Sequence, residues 1–240
     1  LDGVRVLASG EDWAVVAKPP RVLVHRNWRN HDADALLQQV RDHFRARVYP
    51  IHRLDYQASG CVLFGTTQSA AAPLQAALTG ARKQYLALVR GVFQHTSPIV
   101  VDNPMKDDNG ILKEARSTVT CLGTCETPRC SLLLVEPHTG RYHQVRRHVR
   151  DLNHPIVGDR KHGDYRINRE WLGRGLSRLG LHAVSLDIDG DRSIHAMCPW
   201  YADMAAAIAP LPFAAAAIER FPVLGEAPLP VPVVTVEEDD

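Results

Sequence analysis

His52-Arg53-Leu54-Asp55-Tyr56-Gln57-Ala58-Ser59-Gly60 lies between two apolar segments, residues 48–51 and 61–65. The second flank reads as a strand, the first as a short apolar lead-in, and the polar stretch as the turn between them. In an extended chain, residues two apart point to the same side. Arg53 and Asp55 can therefore present a charged pair beside a sheet. An aspartate so placed is a carboxylate nucleophile or a charge held by arginine. A turn acid that caps a backbone amide is the equally simple alternative.

Outward from this stretch, residues 4–8 and 13–17 read as strands about Gly10-Glu11-Asp12, and Lys18-Pro19-Pro20 breaks the run. Asp32 is placed to cap a helix whose apolar residues Leu36, Leu37, Val40 and Phe44 recur at helical spacing. A helix is expected from about Ser69 to before Gly80, then a strand over 84–89. A loop with Pro98, Pro104, Asp107, Asp108, Asn109 and Gly110 follows, then strands at 117–120 and 131–135. A helix from about Arg141 would carry Val145, Val149 and Leu152 on one face and His143, Arg146 and Arg150 on another. Strands at 181–186 and 192–197 flank Asp189-Gly190, and a last helix lies between Pro199 and Pro210. Residues 1–222 form the expected domain, and 223–240 a Pro-rich, acidic, mobile tail. There is no βαβ rhythm and no long-period repeat. The expectation is one α+β domain with a largely antiparallel central sheet flanked by helices.

Composition narrows the class. Of 240 residues, 45% are hydrophobic and 23% charged, which excludes wholesale disorder. No apolar run approaches the roughly 20 residues of a membrane span, and no basic-then-apolar opening marks an export signal. The odd count of five cysteines gives no disulfide framework and points to a reducing, cytoplasmic setting. Cys121, Cys125 and Cys130 lack zinc-ligand spacing and read as core or turn thiols; no metal is expected. The formal charge of +1 hides a gradient. Arg141, Arg146, Arg147, Arg150, Arg160, Lys161, Arg166 and Arg169 crowd one segment, while the chain ends Glu237-Glu238-Asp239-Asp240. A local basic stripe suits a phosphate-rich partner; a solvated helix face is the plainer reading. The phosphate loop, dinucleotide fingerprint, zinc-protease helix and serine elbow are all missing.

Two more clusters carry chemistry. Thr139-Gly140-Arg141-Tyr142-His143-Gln144-Val145-Arg146 opens the basic helix, where an arginine can pair with a distant carboxylate or the helix start can receive a phosphate. An ordinary amphipathic helix is the alternative. Lys83-Gln84-Tyr85-Leu86-Ala87-Leu88-Val89 sets Tyr85 in a strand, as core or as a ring that stacks on a nucleobase. His143, His148, His154 and His162 lack a metal-ligand pattern, so capping or RNA contact is expected of them.

Taken in chain order, 52–60, 83–89 and 139–146, the three clusters resemble the RluA-type family of pseudouridine synthases. Val16-Ala17-Lys18-Pro19 and Leu23-Val24-His25 are similar to that family's N-terminal signature, so the resemblance runs from about residue 4 to 209. It implies a single catalytic domain without the family's optional S4-like domain, an enzyme that needs no cofactor, an RNA partner, and a monomer. It implies Asp55 as the catalytic aspartate, Arg146 as its partner and Tyr85 as the ring that stacks on a flipped uracil. Arg53, His52, Arg141, His143, Gln144, Arg147, Arg150, Arg160 and Lys161 are the expected RNA-binding residues. The run from Arg146-Arg147-His148 through His154 to Asp159, with His162-Gly163-Asp164 and Asn168-Arg169, is most similar to the branch acting on a T-stem uridine of tRNA, position 65. Ribosomal RNA is the other substrate within the family. Ala58 stands where the family usually has threonine, and Arg21 where it usually has glycine. The competing readings are a catalytically silent RNA binder and a glycoside hydrolase. The latter needs a second placed carboxylate that neither box supplies.

Overall fold

A computed structural model describes residues 3–26, 35–190 and 192–232. The outer path of its ten-stranded sheet starts with β1 (Val6–Ser9), β2 (Trp13–Lys18) and β4 (Ser59–Gly65), with β3 (Tyr49–Pro50) also on β4. It continues through β11 (Leu181–Ile188), β5 (Arg82–Arg90), β10 (Arg129–Pro137), β9 (Ser117–Glu126) and β6 (Ile99–Val101), with β12 (Ile194–Met197) on β11. Every pair is antiparallel except β4 with β11. At this parallel seam Gly60 pairs with Ala183. Its φ of +121° and the overlap any Cβ would make with the Ala183 backbone leave room only for glycine. The turn bearing Asp55 enters the sheet at this seam.

Side-chain alternation along the strands feeds buried clusters on both faces. Leu86, Leu88, Leu132 and Leu134 pack with Trp171, Met204, Phe213 and Phe221 on one face. Ala87, Val89, Leu133 and Val135 meet Val145 and Val149 on the other. The helices are α1 (Leu36–Phe44), α2 (Gln68–Ala77), α3 (Gln144–Asp151), α4 (Tyr165–Gly173), α5 (Ala202–Ile208) and α6 (Ala214–Arg220). Among the described residues, no helix is long and apolar enough to cross a membrane.

Several expectations are corrected. The helix expected from Arg141 begins at Gln144. His143 takes a left-handed conformation (φ 53°) that turns the chain into α3. The loop after residue 98 holds β6 and a hairpin, β7 (Met105–Lys106) with β8 (Leu112–Lys113). At its tip the Asp107 carboxylate accepts the amides of Asn109 and Ile111. Helix α4 was missed; its signal is Asp164, which caps the amides of Arg166 and Ile167, with Ile167 and Trp171 one turn apart facing the core. The tail expected from 223 is corrected at its start. Residues Pro222–Gly225 form a 3-10 turn that buries Leu224, and Leu229 pairs with Tyr201. The Asp32 cap and residues 233–240 lie outside the described residues.

Candidate active site

Asp55 lines a cleft of about 1280 Å³, roomier than a typical small-molecule pocket. The buried Arg146 guanidinium ends there. Its Nη1 donates to Asp55 Oδ2 at 2.8 Å, while Nε and Nη2 grip both oxygens of Asp159 at 2.7 Å each. Arg146 is thus the partner of Asp55 that the resemblance implies, and it links that carboxylate to a second one. Asp159 is buried, and burial pushes its carboxyl up. Arg146 and the amides of His162 and Lys161, both at 2.9 Å, outweigh that and hold it below the usual range. With both oxygens committed, Asp159 serves to aim Arg146 and is not a free second carboxylate. Asn168 fixes it in turn, donating to the Asp159 carbonyl at 2.9 Å and accepting the Gly158 amide at 2.7 Å.

Lys18 anchors the Asp55 turn from below. It is fully buried, and its ammonium donates to the carbonyls of Pro19, Val22 and Tyr56 at 2.8, 2.7 and 3.1 Å. Burial, then the nearby Arg178 charge, pushes its pKa well down against the pull of Asp55. Arg21, at φ 60°, occupies the left-handed position where the resemblance leads one to expect glycine. Its amide donates to Tyr56, and its guanidinium holds the Ser177 hydroxyl at 2.6 Å, which offsets a left-handed cost of about 1–2 kcal/mol. Ala58 is buried among Ala87, Val89 and Leu181, so a methyl fills that place without a hydroxyl to satisfy.

Tyr85, half-buried on β5, lines the same cleft; burial, then the Asp55 charge, drives its hydroxyl pKa upward. Arg53, Arg160 and Lys161 are exposed on the cleft, and the Lys161 ammonium lies 5.2 Å from the Tyr142 ring centre. Arg141, also at the cleft, donates to the Glu114 carbonyl at 2.8 Å. His143 reaches the floor, with Nε2 3.8 Å from Asp55 Oδ1 and Nδ1 3.0 Å from His162 Nε2.

Of the other expected RNA contacts, His52 and Gln144 line the cleft but engage their polar groups within the protein, and Arg147 and Arg150 lie away from it. His52 accepts the Leu63 amide at 3.1 Å, and burial lowers its pKa to about 4, so it stays neutral and holds the turn. Gln144 is buried with its amide engaged throughout. It accepts from Thr139 and the Arg141 amide and donates to the Arg116 carbonyl and Ser117. Arg147 and Arg150 lie outside the cleft lining, and Arg150 is paired with Asp151 at 2.6 Å. His148 is fully buried against Ser117, and His154 sits on the Arg90 carbonyl. Among the described residues, no group of three or more His, Cys, Asp or Glu is placed to hold a metal.

Lys18, Asp159 and Asn168 stand in the quoted motifs without an expected role, and His162 is expected there only to cap or to touch RNA. The contacts that tie them to the site, Lys18 to Tyr56, Asp159 to Arg146 and His162 to His143, join separate segments, so only their clustering near the boxes signalled them. A carboxylate with one oxygen unengaged by arginine, a buried arginine behind it and a basic rim make an arrangement suited to acid–base or nucleophilic chemistry on a phosphate-bearing substrate. Comparison with known proteins agrees. Residues 12–151 match the model of the RNA pseudouridylate synthases. Proteins described as tRNA pseudouridine synthase C are similar: that of Pasteurella multocida is 38% identical over 71% of this chain and 79% of its own length, and that of Vibrio cholerae 34% over 76% and 84%. The fold matches human RNA pseudouridylate synthase domain containing 1 with a TM-score of 0.70, at 24% identity, over 86% of this chain and 88% of that one. The chain belongs to the RNA pseudouridylate synthase family, and is thereby an isomerase of RNA uridine.

Proposed function

We propose that this synthase converts a T-stem uridine of tRNA, position 65, to pseudouridine. The described chain acts as one catalytic domain, as a monomer, in the cytoplasm. The names of its similar relatives support tRNA as substrate. The observation that carries the chemistry is the division of Arg146 between Asp55 and a locked Asp159, which leaves Asp55 Oδ1 unengaged by the guanidinium, with His143 Nε2 3.8 Å away. The reaction breaks the N1–C1′ bond, turns the uracil and joins C5 to C1′. Its atoms balance without oxidation or net hydrolysis, and the carboxylate at the sugar–base junction serves the glycosidic steps.

A paired base lies out of reach, so the target leaves its stack at a cost of a few kcal/mol. Tyr85 then stacks on the uracil. Arg53, exposed beside Asp55, fills the vacated space or holds a phosphate. Arg141, Arg160 and Lys161 hold backbone phosphates, contacts that position the RNA without reading its sequence. The test is mass-spectrometric mapping of pseudouridine in unmodified tRNA and ribosomal RNA fragments treated with the wild type and with Asp55→Asn. T-stem pseudouridine made by the wild type alone is the expected result. Pseudouridine confined to ribosomal RNA overturns the substrate, and its absence with tight tRNA binding points to a silent binder.

A further inference from the structure

His143 is bound into the site more closely than an RNA-contacting side chain needs. Its ring stacks on Tyr142 with centroids 3.7 Å apart and meets His162 edge to face at 5.2 Å. Nε2 lies 3.8 Å from Asp55 Oδ1, the oxygen that Arg146 leaves free. Nδ1 lies 3.0 Å from His162 Nε2, a hydrogen bond needing one proton between two nitrogens. With that proton on His143 Nδ1, a lone pair on Nε2 faces the reacting centre. His162 is held in turn through its amide, which donates to Asp159, so the same carboxylate aims both Arg146 and the histidine pair.

We infer that His143 is the base that removes the C5 proton of the rotated uracil, with His162 fixing its tautomer; this rests on the function proposed above. When C5 has bonded to C1′, C5 carries both the sugar and a hydrogen, and C6 is doubly bonded to N1. That hydrogen is acidic, flanked by the C4 carbonyl and the C6–N1 double bond. Its loss to Nε2 lets the C5–H pair form the C5–C6 double bond, and the C6–N1 π pair moves to N1. N1 takes a proton, delivered by the imidazolium directly or through water, and His143 returns to its neutral form. No proton is gained or lost overall. The base must stand near C1′, and C1′ reacts against Asp55 Oδ1. A nitrogen 3.8 Å from that oxygen is therefore within reach of the C5 hydrogen.

The surroundings keep His143 a free base near neutral pH. Burial lowers its pKa to about 4; Asp55 pulls it up, while Arg146, His162 and Lys161 oppose protonation. Such a weak base suits a carbon acid as activated as this one.

The test compares tRNA carrying hydrogen or deuterium at C5 of the target uridine, in single-turnover reactions of the wild type, His143→Gln and His162→Gln. In the wild type the isotopes are expected to react alike. His143→Gln slows the reaction by about 10²–10⁴-fold, the usual range for a lost general base, and reveals a several-fold primary isotope effect. His162→Gln shows a smaller change of the same sign. The isotope ratio does not depend on the fraction of correctly folded protein, so partial misfolding cannot imitate it. Turnover undiminished in His143→Gln, or slowed equally for both isotopes, overturns the inference while the functional reading stands. Failure of the wild type to form pseudouridine overturns both.

Discussion

Arg146 reaches Asp55 across 91 positions of sequence, and the 2.8 Å contact from Nη1 is made by a guanidinium whose other edge is clamped on Asp159. The clamp is buried and the Asp55 end lines the cleft, so Asp159 orients the guanidinium and Asp55 is the carboxylate within reach of a ligand.

Replacement of Asp55 by asparagine keeps an oxygen for Arg146 and removes the charge. Turnover is expected to vanish while tRNA affinity stays within a few-fold. A filter-binding or anisotropy titration beside a single-turnover assay checks both halves; residual single-turnover conversion would refute the catalytic role.

Arg146→Lys tests the fork. A lysine ammonium cannot donate in parallel to Asp159 and also reach Asp55. The variant leaves a buried carboxylate poorly paired, so a loss of about 3–5 kcal/mol of stability is expected together with loss of activity. Denaturant unfolding measures the first, and a melting curve matching the wild type would show that the clamp is dispensable.

His52 sets a pH dependence of stability. The unfolded residue binds a proton near 6.5, the folded one only near 4. Between these values unfolding takes up a proton, so this contribution is complete above about pH 6.5 and is lost as pH falls toward 4. Because His52 as a residue is only half-buried, its share is about 1–2 kcal/mol. His52→Gln keeps an acceptor for the Leu63 amide but cannot titrate. Its melting temperature should fall less steeply than that of the wild type over this window, and parallel curves would assign the effect elsewhere.

Salt dependence separates the cleft rim from α3. Loss of Arg53, Arg160 or Lys161 should weaken tRNA binding and lower the slope of log affinity against log salt by about one each. Arg150→Ala should leave the slope unchanged, because Arg150 is already paired with Asp151. Equal slopes for all four variants would remove the rim as the phosphate-binding surface.

Much of this was legible along the chain. The Asp55 turn, the β5 strand with Tyr85, and the antiparallel character of the sheet follow from local alternation and turn chemistry, which act over a few residues. Short elements were lost. β7 and β8 have two residues each, and α6 is a seven-residue Ala-rich helix held by Phe213, Ala217 and Phe221 in the core. Local propensity cannot stabilise such elements alone, so only packing makes them visible.

By itself, the sequence determined which residues are the candidates for the chemistry, because the Asp55 turn, the Tyr85 strand and the arginine-rich helix start stand in chain order as the boxes of one family. The tertiary structure decided what each one touches. It buried Arg146, turned His52 and Gln144 inward, placed Lys18 under the Asp55 turn, and joined His143 to His162 beside the free oxygen. Burial and ion pairing depend on which distant segments share a site, and that is fixed only when β4 and β11 close the seam beside the cleft.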